Sequence, residues 1–268
     1  MLKSGDFLEN YLKMAPVPLA VERSYECEIL SKQFFQRPIL DIGCGDGIFV
    51  RQLFNEKVDV GVEPNEKELL HTKKMKSYTE LINCWGDKIP KPDKSFKTIF
   101  SNSVLEHIPD LEPVIKEAHR LLSDDGRFYV TVPTEKFDQY SVINLILCSL
   151  GLTKLSSQFR TFFNKFWAHY HFHTVDGWKK VFERNGFEVK QHQTYCSKKS
   201  CVMNDALAIL SVPSLVIKKL TNRWFISERI RVLTATILFK AVKQFADKEH
   251  NISSGGIVFF HLEKIRKN

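Results

Sequence analysis

The sequence predicts a doubly wound α/β fold, in which helices cover both faces of a largely parallel sheet. Short apolar runs alternate with stretches of helical spacing between residues 20 and 133, and this alternation is typical of βαβ units. The first apolar run leads directly into three glycines on alternate positions, a composition that suits a tight turn close to a ligand. With 268 residues, of which 43% are hydrophobic, the chain can bury a core of this size.

The apolar runs and the helical spacing predict where the elements lie. Strands are expected over residues 39–42, 58–62, 80–84, 98–101 and 127–132, and helices over 20–36, 48–55, 66–74 and 111–122. An amphipathic helix is expected over 174–185, closed by Gly186 as a C-cap. The last two strands are expected over 187–195 and 256–262, with a helical insertion of about 60 residues between them.

We therefore expect a single domain over residues 1–268. Its core comprises residues 20–133, 174–196 and 255–265, and two variable insertions, 134–173 and 197–254, form helical lids. The first insertion contains an almost wholly apolar stretch at 140–152 and an aromatic run at 159–172.

Composition bears on location and partners. The six cysteines have no C-x-x-C pair or zinc-ligand spacing, and no signal pattern or run long enough to span a membrane is found. We therefore expect reduced thiols and a cytoplasmic protein. Residues 197–268 hold 13 basic and 5 acidic residues, which supply the whole net charge of +8. This excess indicates either an anionic partner or simply a solvated basic face.

The glycine turn is the most informative motif. Asp41, Gly43, Gly45 and Gly47 form the pattern D-x-G-x-G-x-G around Cys44, and the next helix begins near residue 48, where its N–H groups can meet a polar ligand. The third glycine stands one residue short of the dinucleotide fingerprint G-x-G-x-x-G, which disfavours an NAD site.

Two acidic residues follow the second and third strands. Glu63, before Pro64, stands 20 residues after Gly43, the distance at which a carboxylate can accept bonds from both ribose hydroxyls. Asp87 can accept a bond from an adenine amino group, with Trp85 or Ile89 packing on the ring. The alternatives are an ordinary exposed glutamate and a plain Gly-Asp turn.

Further polar residues fall at the end of the fourth strand and in the first insertion. Ser101 and Asn102 end the strand, where open α/β sheets bind ligands. His107 either faces this site or only packs. His171 and His173, with the neighbouring His169, alternate along one face if extended, but the absence of an acidic or cysteine ligand disfavours a metal site.

The segments ILDIGCGDG, GVEPN, WGDKIP, SNSVLEHIPD and RFYVTVP cover residues 39–133 and are weakly continued to about 195. In order and spacing they resemble the class I S-adenosylmethionine (SAM) methyltransferases that include the ubiquinone- and menaquinone-type enzymes. The resemblance implies a Rossmann-like seven-stranded sheet whose last strand is antiparallel. It also implies that the glycine turn, Glu63 with Pro64, Asp87, Ser101 and Asn102 bind SAM, and that Asp41 helps to hold the amino group of the methionine moiety.

The implied chemistry is a single SN2 transfer that releases S-adenosylhomocysteine. The methyl group on the sulfonium is already activated, so the protein mainly holds the nucleophile in line. A base helps only when the acceptor must lose a proton, and His107, His171 and His173 are its candidates. No metal is expected.

The acceptor is expected to be a small molecule, a lipid- or quinone-like compound or a glycan intermediate. SNSV stands where base methyltransferases have N-P-P-[YF], so nucleic acid is disfavoured. The basic helical stretch within 197–254 predicts membrane contact, packing on the domain or an oligomer interface. Two alternative functions remain, a non-catalytic SAM-fold binding protein and an NAD-dependent oxidoreductase.

Overall fold

A computed structural model describes residues 2–208, 211–221, 224–225, 227–243 and 252–266. The strands are β1 (Ile39–Ile42), β2 (Val58–Val62), β3 (Tyr78–Ile82), β4 (Phe96–Asn102), β5 (Leu122–Pro133), β6 (Phe187–Tyr195) and β7 (Ile257–Lys264). The helices are α1 (Phe7–Leu12), α2 (Val17–Leu30), α3 (Ile48–Leu53), α4 (Glu66–Met75), α5 (Leu111–Leu121), α6 (Lys136–Gln139), α7 (Val142–Ser149), α8 (Thr153–Phe166), α9 (Val175–Arg184), α10 (Lys198–Ala208), α11 (Val212–Thr221) and α12 (Glu228–Lys243). A 3₁₀ turn covers Leu105–His107.

The seven strands form one sheet in the order β3-β2-β1-β4-β5-β7-β6. The first five are paired in parallel, while β7 runs antiparallel to both β5 and β6. The predicted doubly wound sheet with an antiparallel last strand is therefore confirmed. The strand order reverses between β1 and β4, which is the switch point where open α/β sheets bind ligands.

Several predicted boundaries move, and three elements show this most clearly. The third strand begins at Tyr78, two residues before the predicted start, because the buried Tyr78 pairs with Val58. The first core helix begins at Val17, where a proline suits the first turn, and it ends at Leu30 rather than at residue 36. The fifth strand begins at Leu122, which pairs with Phe96 before the acidic turn interrupts the ladder.

Each face of the sheet carries its own apolar layer, and strand β7 shows the separation most clearly. Phe259 belongs to the layer of α1 and α2, where it stacks on Tyr129. The next residue, Phe260, points to the opposite layer and meets Phe182 of α9 edge to face. Alternate residues of a strand point to opposite faces, so one strand contributes to both layers.

The second insertion forms α10, α11 and α12 in the described residues, and α12 packs against α1. No single described helix is long and apolar enough to cross a membrane. The helices α10 and α11 have the length and composition of a span only when taken together, with a bend of 63° between them.

Trp178 of α9 offers a test of the second layer, because its side chain is 0% exposed and its Nε1–H donates to the carbonyl of Pro133 over 2.8 Å. We expect Trp178→Ala to lower the free energy of unfolding by about 3–5 kcal/mol through the cavity it leaves. Denaturant titration measures this loss. Trp85→Ala is the matched control, since Trp85 is 69% exposed, and an equal loss in both variants would contradict the assignment.

Candidate active site

A cavity of about 880 Å³ lies beyond the carboxyl ends of β1, β2 and β4. Many of the residues predicted to bind the cofactor line it, namely Asp41, Gly43, Cys44, Gly45, Glu63, Pro64, Asp87 and Asn102. His107 also lies in its wall. Segments far apart in the chain therefore meet at the switch point of the sheet, as predicted from their order.

The glycine turn after β1 depends on positive φ angles and close packing. Gly43 has a φ of 83°, and a Cβ there would lie 2.5 Å from Val104 Cγ1. Gly47 has a φ of 76° and precedes α3, where a Cβ would lie 2.8 Å from Thr72 Cγ2. Any larger residue would strain the backbone and push these neighbours away. Gly47 is absent from the described cavity wall, so its role there is to shape the turn.

Asp41 lies at the floor of the cavity and is only 3% exposed. The hydroxyl of Tyr78 donates to its Oδ2 over 2.6 Å. Burial raises the pKa of Asp41 to about 7, although the bond from Tyr78 acts in the opposite direction. A cationic ligand group would favour the ionised form, which fits the predicted role beside the amino group of a methionine moiety.

Glu63 closes the end of β2 and is bound to the glycine turn. Its Oε2 accepts from the backbone N–H of Gly45 over 3.0 Å, and its Oε1 accepts from the N–H of Asn65 over 2.9 Å. Burial raises its pKa, and these two N–H groups lower it. The carboxylate is thus fixed in orientation and still lines the cavity. A carboxylate that accepts hydrogen bonds from both ribose hydroxyls needs this arrangement.

The residues at the end of β4 serve different purposes. Ser101 is buried and donates to the carbonyl of Ile42, so it ties β4 to β1 and is not in the described cavity wall. Asn102 does line the cavity, and its Nδ2 donates to Glu26 Oε2 over 2.6 Å. Asp87 lines the cavity beside the exposed Trp85.

The three candidate histidines are separated by the fold. His107 lines the cavity, and its Nδ1 lies 3.2 Å from the carbonyl oxygen of Ala168. His171 turns its Nε2 to the carbonyl oxygen of Ile108 at 2.9 Å, and His173 packs edge to face on Trp178. Of the three, only His107 belongs to the cavity wall formed by the described residues, because the other two are held against the body of the domain.

Sequence reasoning missed a buried carboxyl beside His107. Glu106 is 2% exposed, and its Oε2 has no hydrogen-bond partner among the described residues. Burial raises its pKa to about 8. Its Oε1 lies 3.8 Å from His107 Nε2. The ring of His169 stands 5.1 Å from that of His107, and burial with the neighbouring His107 lowers the pKa of His169 to about 4.

One ligand atom from each of Glu106, His107 and His169 lies within 4.8 Å of the other two. A carboxylate with two imidazoles is a donor set that a divalent cation accepts. The shifted pKa of each of the three groups also makes the set a candidate for proton transfer. The acidic member, absent from the predicted histidine set, comes from the 3₁₀ turn after β4.

Helix α2 supplies another buried carboxylate that the sequence pattern does not indicate, that of Glu26. Glu26 is fully buried and accepts from Arg23, Asn102 and the hydroxyl of Ser103 over 2.6–2.8 Å. Arg23 itself lines the cavity. In the sequence, Arg23 and Glu26 are part of an ordinary amphipathic helix. The partners of Glu26 at the end of β4 lie more than 70 positions away, so no local signal identifies this cluster.

The second insertion also reaches the site. Trp224 Nε1–H donates to Asp46 Oδ2 over 3.0 Å, and Lys218 Nζ lies 2.9 Å from Glu68 Oε2. Both Trp224 and Lys218 line the cavity. None of the described lining residues comes from 134–173, so the predicted lid over the cavity is supplied by the second insertion rather than the first.

A family model described as a methyltransferase domain matches residues 22–192, more than half of the chain. The chain belongs to this methyltransferase family. The match includes the glycine turn, Glu63, Asp87, Asn102 and the candidate histidines. Membership confirms the predicted family, the enzyme class and SAM as its cofactor. The roles of the individual residues stay predictions.

The two curated relatives described next are less than 30% identical to this chain. The sterol 4-C-methyltransferase of Caenorhabditis elegans is 27% identical over 152 residues, which cover 51% of this chain and 46% of the relative. A ubiquinone biosynthesis O-methyltransferase of Yersinia enterocolitica is 29% identical over 108 residues, covering 37% of this chain and 43% of the relative. The chain thus spans less than half the length of these two relatives.

A solved structure has the same fold over nearly the whole chain. It is a SAM-dependent methyltransferase, described as a possible histamine N-methyltransferase, from Thermotoga maritima. The TM-score is 0.57 at 16% identity, with 91% of each chain covered. At this identity the likeness supports the fold alone.

The first site prediction concerns Glu63. Glu63→Gln keeps the shape but removes the charge, so we expect SAM to bind about 10- to 100-fold more weakly, the effect of losing charge-assisted hydrogen bonds. Isothermal titration with SAM measures the change. Glu80→Gln on the edge strand β3 is the control and should bind as the unaltered protein does. Equal affinity of Glu63→Gln and the unaltered protein would exclude the ribose role.

A second prediction follows from the raised pKa of Asp41. Because the free protein carries this carboxyl protonated below about pH 7, binding of a cationic amino group must release that proton. We expect SAM affinity to fall by about tenfold per pH unit below this value. Affinity should also fall above about pH 8, where the α-amino group of the ligand loses its charge.

Titrations of the unaltered protein and Asp41→Asn across this pH range test the assignment. The variant should bind more weakly and lose the acid limb of the profile. An unchanged acid limb in Asp41→Asn would show that another group is titrating.

Proposed function

We propose that this protein transfers the methyl group of SAM to a hydroxyl group of an apolar small molecule. The observation that carries the proposal is the pair of His107 in the cavity wall and the buried Glu106 beside it. A base of this kind accelerates transfer to an acceptor that must lose a proton. The names of the sterol and ubiquinone relatives agree with an apolar acceptor.

The wall of the cavity supports the apolar character. Leu19, Phe49 and Trp224 contribute apolar surface from outside the strand-end motifs. Its two described cations, Arg23 and Lys218, are engaged by Glu26 and Glu68 at 2.7 and 2.9 Å. A phosphate-bearing acceptor needs cations to pair with, so this wall argues against nucleotides and nucleic acid.

Room for two molecules supports transfer rather than binding alone. At about 880 Å³ the cavity stands near the upper end of the range for small-molecule sites, roughly 300–1,000 Å³. SAM would occupy the part lined by the glycine turn, Glu63 and Asp87. The acceptor would occupy the part near His107 and Leu19.

In the proposed reaction the acceptor oxygen attacks the methyl carbon in line with the sulfur. The bond from carbon to sulfur breaks, its electron pair returns to sulfur, and S-adenosylhomocysteine is released. The hydroxyl proton passes to the free nitrogen of His107. The main contribution of the protein is to hold the two reactants in this geometry.

The protonation states favour His107 as the acceptor of that proton. Burial lowers its pKa, so the ring is neutral near pH 7 and can take a proton. If Nδ1–H donates to the carbonyl of Ala168, Nε2 remains as the basic nitrogen, facing Glu106. Glu106, with its pKa raised to about 8 by burial, stays protonated near pH 7, so His107 alone carries the transferred proton.

The two alternative functions differ in their support. Membership in the methyltransferase family argues against an NAD-dependent oxidoreductase. A non-catalytic binding protein would bind SAM equally well but would release no S-adenosylhomocysteine with any acceptor. Turnover of SAM therefore separates it from the enzyme.

We also propose a cytoplasmic protein with peripheral membrane contact through the second insertion. None of its six cysteines forms a disulfide, which agrees with a reducing compartment. The exposed Leu220 of α11 and Leu233 and Ile237 of α12 support an apolar contact, with a lipid surface or a second copy as the partner. Residues 244–251 of this insertion lie outside the described residues.

The test of the catalytic proposal is release of S-adenosylhomocysteine from SAM with hydroxylated sterols, phenols and prenylated catechols. With an active acceptor, we expect His107→Gln to lower kcat by about 10²- to 10⁴-fold, the usual contribution of a general base. The SAM dissociation constant should change little. In the unaltered protein, kcat should fall only below about pH 6.5, the ordinary pKa of histidine, because the pKa of His107 is lowered.

His192→Gln is the control, since His192 is exposed on the edge strand β6. Assays with and without a chelator distinguish proton transfer from cation binding at Glu106, His107 and His169. Unchanged kcat in His107→Gln would exclude the base. Tight SAM binding without turnover on any acceptor would favour the non-catalytic alternative.

A further inference from the structure

The first insertion contains a helical hairpin whose polarity is reversed. In α7 and α8, the buried side chains are polar, namely Asn144, Ser156 and Asn164. Leu145, Leu147, Phe159 and Phe163 are half-buried. Most of the other large apolar side chains of the two helices and their flanking turns are exposed, namely Ile143, Ile146, Leu150, Leu152, Leu155, Phe162, Phe166 and Trp167. A helix of a soluble domain normally buries its apolar stripe, so this arrangement requires a partner.

Hydrogen bonds help to hold the hairpin together, beside the ring contact of Phe163 with Phe137 of α6. The hydroxyl of Ser156 donates to Asn144 Oδ1 over 2.7 Å, which joins the two helices. Asn164 donates to Asp138 Oδ2 over 2.7 Å, and Arg160 pairs with Asp138 Oδ1 at 3.0 Å. These bonds engage the polar side chains that face the body of the domain. The apolar face is therefore left free for another surface.

The charge of the segment indicates what that surface is. Residues 139–175 contain three basic residues and no acidic one. Arg160 is engaged by Asp138, whereas Lys154 and Lys165 are exposed next to the apolar face. Trp167 and Tyr170 are also exposed at its end. Exposed apolar and aromatic side chains with flanking lysines are typical of helices that lie in the interface of an anionic bilayer.

We propose that the α7–α8 hairpin docks on the surface of an anionic lipid bilayer, with its apolar face in the headgroup region and Lys154 and Lys165 on lipid headgroups. Helices of 8 and 14 residues extend about 12 and 21 Å, too short to span a core of about 30 Å, so the hairpin lies on the membrane. A two-fold dimer through this face would place the same lysines against each other, which disfavours a second copy.

The end of the hairpin is bonded to the cavity wall. The carbonyl of Ala168 meets His107, and the N–H of Tyr170 donates to the carbonyl of Glu106 over 2.8 Å. Docking therefore places the cavity close to the lipid surface, where an apolar acceptor would be dissolved. The docking itself rests on the hairpin alone and does not depend on the identity of the acceptor.

Vesicle co-sedimentation of the full chain tests the proposal. Vesicles of phosphatidylcholine alone are compared with an equimolar mixture of phosphatidylcholine and phosphatidylglycerol, at low and high salt. We expect preferential binding to the mixed vesicles, weakened by salt. The variant Leu150→Ser/Phe162→Ser should bind them at least about tenfold more weakly, since both side chains are more than 60% exposed and would insert.

The matched control is Leu70→Ser/Phe34→Ser, which removes a leucine and a phenylalanine that are 55% and 61% exposed elsewhere on the surface. It should bind as the unaltered protein does. An unchanged unfolding midpoint and an unchanged SAM affinity confirm that both variants are folded. Because SAM affinity is measured without an acceptor, the vesicle test does not depend on the methyl-transfer assay. The proposal is overturned if the protein ignores both vesicles, if the hairpin variant binds normally, or if sedimentation velocity shows a dimer that this variant abolishes.

Discussion

The structure depends on how closely the turn after β1 packs against its neighbours. Gly43 leaves just enough space for Val104, and Gly47 leaves it for Thr72 of α4. These two contacts fix the start of α3 and bring the loop after β4 against the loop after β1. Strand β1 sits between β2 and β4, so the turn that follows it is the point from which both walls of the cavity extend.

A second set of interactions joins this sheet to the N-terminal helices. Glu26 of α2 accepts hydrogen bonds from Asn102 and Ser103 and is paired with Arg23. A carboxylate without exposure to water is stable only when its oxygens are satisfied in this way. The site is therefore assembled from the carboxyl ends of the strands and a helix that is held to them by a buried carboxylate.

The sequence predicted the parts of the site whose chemistry is local. Glycines at alternate positions and an acidic residue at the end of a strand indicate a ligand-binding turn without any knowledge of distant contacts. The amino-acid pattern alone was therefore enough to place Gly43, Gly45 and Glu63 in the wall of the cavity. The parallel pairing of the first five strands followed from the alternation of strands and helices.

What could not be predicted depends on contacts between distant segments. In the sequence Glu106 is one of several charged residues after the fourth strand. Its chemical interest comes from burial, with an Oε2 atom that has no hydrogen-bond partner among the described residues. Trp224 and Lys218 belong to an insertion with no motif, yet they cover the glycine turn. The burial of polar side chains in α7 and α8 could not be predicted either, because an apolar stretch in a sequence is ordinarily assigned to the core.

The bond from Tyr78 to Asp41 has a consequence for how this site can change over evolutionary time. A Cβ at Gly61 of β2 would lie 2.7 Å from the Tyr78 ring, so the strand leaves room for the tyrosine only while residue 61 stays glycine. A larger residue at 61 demands a smaller one at 78, and the carboxyl of Asp41 then loses its hydrogen bond. Positions 41, 61 and 78 are therefore expected to change together among descendants of this chain, as a single inherited unit.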